Sequence, residues 1–183
     1  MHASLKYAGA FTAIALTFSL AIAGGDDKYA VKVPGGIGFS EFKGYENWQL
    51  VSISQNGGLV AAIFANPVMI DAFRAGAPGN GKAFPDGSKM AKVHWTPGPS
   101  TTFPAATVPH AQHDVDFMVR DSKRFADSGN WGYGAFEYDA KSDTFTPATT
   151  AAQPPQSNDA KCGFACHTLV KTRDYVFTEY AHR

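Results

Sequence analysis

The sequence predicts an α+β fold: a mainly antiparallel β-sheet with short helices, closed by a helix at the C-terminus. Three observations predict it. Segments 90–95 (MAKVHW) and 113–120 (HDVDFMVR) alternate with the period of two that sends successive side chains to opposite faces of a sheet. Two strand-like runs, 48–54 (WQLVSIS) and 59–65 (LVAAIFA), are joined across Asn56-Gly57, a strong hairpin signal. The helical signals are few and short, which sets the helices on the sheet.

The N-terminus is read first as an address. Residues 1–6 carry His2 and Lys6, and 7–23 is an apolar run broken by Gly9, Thr12, Thr17 and Ser19. Ala21-Ile22-Ala23 supplies small residues where a signal peptidase cuts. Residues 1–23 are expected to be a secretory signal peptide; the run is short for a membrane span, although a retained anchor is the alternative. That leaves one domain over 24–183 in a periplasmic or secreted protein, long enough for a sizeable core and without membrane contact after cleavage. Lys+Arg and Asp+Glu are balanced at 16 each, so no electrostatic footprint for nucleic acid or an anionic membrane surface is present. The 14 Phe, 7 Tyr and 3 Trp suit a core or the wall of a pocket for a flat apolar cofactor.

The elements follow in order. Residues 24–45 read as an irregular lead-in. After the hairpin, Asn66 is placed to cap a helix over 67–74 with Pro67 at its first position, and Gly76 ends it. Residues 76–88 (GAPGNGKAFPDGS) are too rich in Gly and Pro for a regular element. In 90–95, Met90, Lys92 and His94 share one face; an inward lysine is costly unless bonded or reacted. His94 reads as a surface or satisfied histidine rather than a ligand. Residues 96–110 read as a Pro/Thr/Gly-rich loop. In 113–120, Val115, Phe117 and Val119 face one way, and Asp114, Asp116, Met118 and Arg120 the other. A short helix from Asp121 or Ser122 to Phe125 is closed by Gly129-Asn130. The strand 131–138 (WGYGAFEY) carries Gly132 and Gly134, which either admit a flat ligand to the backbone or mark a bulge. Residues 139–157 read as a surface connection, and Asp159 starts the closing helix. The total is about five strands.

That helix holds the densest chemistry. Cys162-Gly163-Phe164-Ala165-Cys166-His167 contains both cysteines of the chain. Two thiols followed directly by His read as a covalent haem attachment site, with thioether bonds to the porphyrin and His167 as axial iron ligand. The usual spacing puts two residues between the cysteines, whereas three stand here. At about 100° per residue, either spacing keeps both sulfurs on one helix face. A Cys162–Cys166 disulfide would close a very small loop and constrain little of the unfolded chain. A structural zinc site would need a fourth ligand and usually a second close pair.

Several stretches together resemble the cytochrome P-460 family, from about Trp48 to Tyr180. They are Cys166-His167 followed by Asp174-Tyr175-Val176-Phe177-Thr178, Phe84-Pro85-Asp86-Gly87 leading to Lys92, and Arg120-Asp121-Ser122-Lys123-Arg124-Phe125-Ala126 leading to Asn130-Trp131. The resemblance implies an antiparallel sheet domain, usually a homodimer, a fold shared with the cytochromes c′-beta. It implies covalent haem c whose five-coordinate iron is held by His167, with Cys162 and Cys166 as attachment points. It further implies a lysine joined to the porphyrin, which by count from Asp86 is Lys92, and a distal carboxylate, which by count from Asp121 is Asp116. Three departures stand out: the wider cysteine spacing, Ala61 about where the family's enzymes carry an arginine, and Asp116 in place of a longer glutamate.

Three functions compete. The first is an enzyme oxidising hydroxylamine or a related small nitrogen species, with Asp116 as general base and electrons leaving to a soluble redox partner. The second is a c′-beta-like protein that binds nitric oxide or another small gas in an apolar pocket lined by Phe84, Phe117 or Phe136. The third is an electron carrier with a sixth iron ligand from Met69, Met90, Met118 or His94. The expectation leans to the enzyme.

Overall fold

The structure, a computed structural model, describes residues 27–33, 35–148 and 160–181. The signal-peptide expectation and the helix start at Asp159 lie outside them. Among the described residues, six strands form one sheet in chain order. They are β1 (Gln49–Asn56), β2 (Leu59–Ala65), β3 (Lys89–Pro99), β4 (Thr107–Arg120), β5 (Trp131–Asp139) and β6 (Thr144–Pro147). Every neighbouring pair is antiparallel. Two α-helices, α1 (Pro67–Arg74) and α2 (Ala160–His167), and several 3₁₀ turns complete the α+β fold.

The local reasons match the sequence signals. Gly57 and Gly58 form the two-residue loop between β1 and β2 with φ of 59° and 80°, the left-handed pair a twisted hairpin demands. Asn66 caps α1 by accepting from the Met69 N–H at 3.2 Å. The same side chain accepts from Lys89 N–H at 3.0 Å and donates to the Gly87 carbonyl at 2.8 Å, tying the helix start to β3. The buried face of α1 is Met69, Ile70 and Phe73.

Each face of the sheet has its own core. On the near face, Ile63, Ala65, Met90, Met118, Trp131 and Tyr133 pack with α1, Phe84 and Val176. On the far face, Ala91, Val93, Val115, Phe117, Val119 and Phe136 pack under the N-terminal residues Val33, Ile37, Phe39, Phe42 and Tyr45. The lead-in that looked irregular is therefore a lid over half the hydrophobic core, built of 3₁₀ turns at Lys28–Ala30, Phe39–Phe42 and Tyr45–Asn47. Phe117 sits at its centre, stacked on Phe42 at 4.0 Å and edge-on to Phe39 at 5.2 Å. Phe117→Ala is expected to cost about 3–5 kcal/mol of stability. A denaturant midpoint within error of the parent would refute that packing.

Three readings of the strands change. β3 and β4 run on through most of 96–110 as a two-stranded arm, with Pro97 opposite Pro109. β6 emerges inside the stretch read as a surface connection. Gly132 and Gly134 mark no bulge, because β5 stays in unbroken register with β4; both pair with far-face residues, and Gly134 also lines the cavity described below. At Gly132 a Cβ would stand 2.5 Å from the Phe125 ring, so the glycine makes room for that ring.

Candidate functional site

Between the near face and the C-terminal segment lies a cavity of about 850 Å³. Its size falls within the roughly 300–1,000 Å³ typical of small-molecule and cofactor sites. Lys92, Asp116, Cys162, Cys166 and His167 all line it. The sheet supplies the floor. Lys92 and Asp116 are direct cross-strand partners of β3 and β4, flanked in the same register by Ile63 of β2 and Ala135 of β5. Cross-strand partners project to the same side about 4.5–5.5 Å apart at Cβ, so an ammonium and a carboxylate stand together at the cavity floor.

Helix α2 supplies a wall. It lies against β5 so closely that a Cβ on Gly163 would come within 3.0 Å of the Tyr133 Cβ. The exposed Cys162 and Cys166 are not joined in a disulfide and, one turn apart, line the same cavity. His167 ends the helix, packed between Tyr133 (ring centroids 5.2 Å apart) and Phe177 (5.1 Å, edge-on). Its Nδ1 lies 2.6 Å from the Tyr175 carbonyl oxygen. A carbonyl only accepts, so Nδ1 carries the proton and Nε2 keeps its lone pair. Burial pushes the His167 pKa down, the Tyr175 hydrogen bond opposes that, and the Lys92 charge adds to the fall, so the balance favours the neutral ring. A neutral imidazole oriented by a carbonyl on its far nitrogen is the standard arrangement of a histidine metal ligand.

The acceptor carbonyl is itself fixed. Asp174 and Tyr175 both adopt left-handed φ, 50° and 62°. Arg120 holds Asp174 through a 2.8 Å ion pair, and the Phe84 N–H donates to the same carboxylate at 2.7 Å. Asp86 in turn accepts from the Ser122 N–H at 3.0 Å. The stretches around Phe84, Arg120 and Asp174 thus converge on one loop whose task is to aim the Tyr175 carbonyl at His167.

These residues fit a haem. The donor set is two thiols and one neutral imidazole on a single wall, facing a cavity of cofactor size. Zinc has no comparable support, since no cluster of three or more His, Cys, Asp or Glu placed to hold a metal occurs among the described residues.

Other expectations land elsewhere. Phe84 packs edge-on to Phe73 and Trp131 in the near-face core, and Phe136 belongs to the far-face core. Phe117 reaches the cavity wall, but its ring is stacked in the far-face core. Of these three candidates, Phe84 and Phe136 are core residues and Phe117 lines the cavity. Ser52, Ser54 and Asn56 of β1 bring polar groups to the cavity. Of the candidate sixth ligands, Met90 and Met118 touch the cavity as buried core residues, while Met69 lies in the α1 packing. His94 is satisfied, as expected: its Nδ1 is hydrogen-bonded to Asp114. Burial alone would raise the Asp114 carboxyl, but His94 and His113 outweigh it and hold the group below the ordinary aspartate value. Sequence reasoning missed Tyr175, whose role lies in a backbone atom, and the convergence of His113 on Asp114, which alternation alone does not reveal. Among the described residues no helix is long and apolar enough to cross a membrane.

Comparison with known families gives one match: the model of cytochrome P460 covers residues 42–178, most of the chain. No curated protein matches the chain.

Proposed function

The chain belongs to the cytochrome P460 family and is a haem-binding cytochrome; from that premise we propose that it is a secreted mono-haem c-type cytochrome oxidising hydroxylamine or a related small nitrogen species. One observation carries the reading. The Lys92–Asp116 pair stands in the same cavity as Cys162, Cys166 and His167, though 70 residues separate Lys92 from Cys162 in the chain. A site for a small apolar gas has no use for a half-buried lysine and carboxylate, which a cofactor bound over them would desolvate at a cost in free energy.

Cys162 and Cys166 would hold the cofactor by thioether bonds, and His167 Nε2 would ligate its iron. When bound, the haem would supply a one-electron redox centre. The chain's own groups do the rest. The Tyr175 carbonyl keeps the His167 proton on Nδ1 and the ligand nitrogen available. Lys92, on the cavity floor, would be joined to the porphyrin. Asp116 takes the proton that the substrate nitrogen loses as its electrons leave to a soluble redox partner. Ser52, Ser54 and Asn56 offer hydrogen bonds to a small polar substrate. The functional form is a homodimer in the periplasm or outside the cell.

The spectrum of the reduced holoprotein tests this. The expected result is haem that survives acid–acetone extraction and a strongly red-shifted Soret band, which reverts to an ordinary high-spin c-type position in Lys92→Arg. A parent spectrum already in that ordinary position would remove the Lys92 bond and turn the reading to small-gas binding. Haem released by extraction would return Cys162 and Cys166 to plain thiols.

A further inference from the structure

Asp116 shows about half of its side chain, 47%, into the cavity, so a group bound there covers it. A base that is covered must pass its proton on through the protein. His94 lies behind it: its Nδ1 is 3.9 Å from Asp116 Oδ2 and hydrogen-bonded to Asp114 Oδ1, with only 12% of the side chain exposed. The other Asp114 oxygen, Oδ2, is 3.0 Å from His113 Nδ1, and the His113 side chain is 53% exposed.

This line of groups depends on a break in the strand. The β3–β4 register steps from His94↔Asp114 to Trp95↔Gln112, which leaves His113 as the extra residue of a bulge. Without the bulge, consecutive residues of β4 would point to opposite faces; the bulge re-aims a side chain and lets His113 and Asp114 meet. Other groups facing His94 are few. Lys92 precedes it by two residues on the same face, Ala61 of β2 and Ser54 of β1 share its register without charge, and Glu137 of β5 lies beyond Asp114. Glu179 of the C-terminal segment lines the same cavity.

We propose that His94 is a proton-transfer residue connecting Asp116 in the cavity to solvent through Asp114 and His113. The inference rests on the reading of Asp116 as proton acceptor. At rest one proton is shared between His94 Nδ1 and Asp114 Oδ1. The shared proton passes to Asp114, and the vacated His94 Nδ1 takes the proton from Asp116 after a shift of under an ångström or so, from 3.9 Å to hydrogen-bond range. The Asp114 carboxyl turns and hands the proton it received to the lone pair of His113 Nδ1, and His113 releases one from Nε2 to water. Net, one proton moves from Asp116 to water, Asp116 is again a base, and no electron is moved.

Cyanide association with the oxidised holoprotein tests this apart from turnover, because hydrogen cyanide must give its proton to the protein as the anion binds. His94→Gln is expected to slow association near neutral pH by roughly tenfold or more, at the low side of the about 10²–10⁴-fold worth of a positioned base. It should also flatten the pH profile, and added imidazole should restore the rate. His113→Gln, at the exposed end, is expected to give a smaller fall of the same kind. Parent rates and pH profile in both variants would overturn the relay. So would a slowed His94→Gln rate with the parent pH profile and no rescue by imidazole, which marks a purely structural role. If the cyanide result holds while the parent fails to oxidise hydroxylamine, the relay stands and the substrate assignment falls.

Discussion

Replacing Asp116 by Asn is expected to lower turnover with hydroxylamine by about 10²–10⁴-fold, the usual worth of a positioned general base. The substitution keeps shape and removes only the proton-accepting charge. Asp116 lies on β4, anchored between Lys92 of β3 and Ala135 of β5 by an unbroken ladder, so the sheet does not depend on it for register. The visible spectrum should therefore stay that of the parent while kcat falls, and stability should change little. The split between spectrum and rate is the informative part. Equal loss of both would mean that Asp116 helps to hold the cofactor, and an unchanged kcat would remove it from the mechanism.

The second large effect lies far from any reacting atom. Gly129 has φ +68°, and a Cβ there would stand 2.3 Å from the Tyr175 ring. Gly129→Ala therefore combines a left-handed backbone cost of about 1–2 kcal/mol with an overpacking cost of about 1–3 kcal/mol. Against a total stability of about 5–15 kcal/mol this is a heavy loss, read as a fall of about 2–4 °C in Tm for each kcal/mol. The alanine also pushes on the residue whose carbonyl holds the His167 proton, so the axial-ligand signature of the spectrum should shift together with Tm. A variant that melts with the parent would contradict the close packing of Gly129 on Tyr175.

Much of this was legible in the chain. β2 and α1 are bounded as their alternation and capping signals indicate, because each rests on local chemistry: a glycine loop, an Asn cap, a proline at the first turn. Alternation also put Lys92 and Asp116 on correct faces, since a period of two leaves one choice of side per residue. What alternation lacks is the partner. The arm of β3 and β4 was hidden because proline argues against a strand, yet beyond Trp95 β3 has no β2 neighbour, and an edge tolerates proline. β6 is only four residues long and takes its definition from β5. The His113 bulge is likewise a property of a pair of strands, so the line from Asp116 to the surface could not be seen in β4 alone. Which aromatic ring meets the cavity was open for the same reason: composition counts the rings, but only the packing of the N-terminal lid shows which face each fills.

The strict chain-order pairing of the sheet also sets an order of assembly. In a meander each strand finds its partner among the residues made just before it, so no pairing waits on a distant segment and loop-closure entropy stays small. The far-face core is complete by Phe145. The near-face core is not: it needs Val176, and the chain's end is fastened late, by Tyr180 to Gln49 and by the Ala181 N–H to the Val51 carbonyl at 3.3 Å. The far-face core thus has all its buried residues before the helix bearing the two thiols arrives. The cofactor face is the last to close, and that schedule is written into the order of the strands.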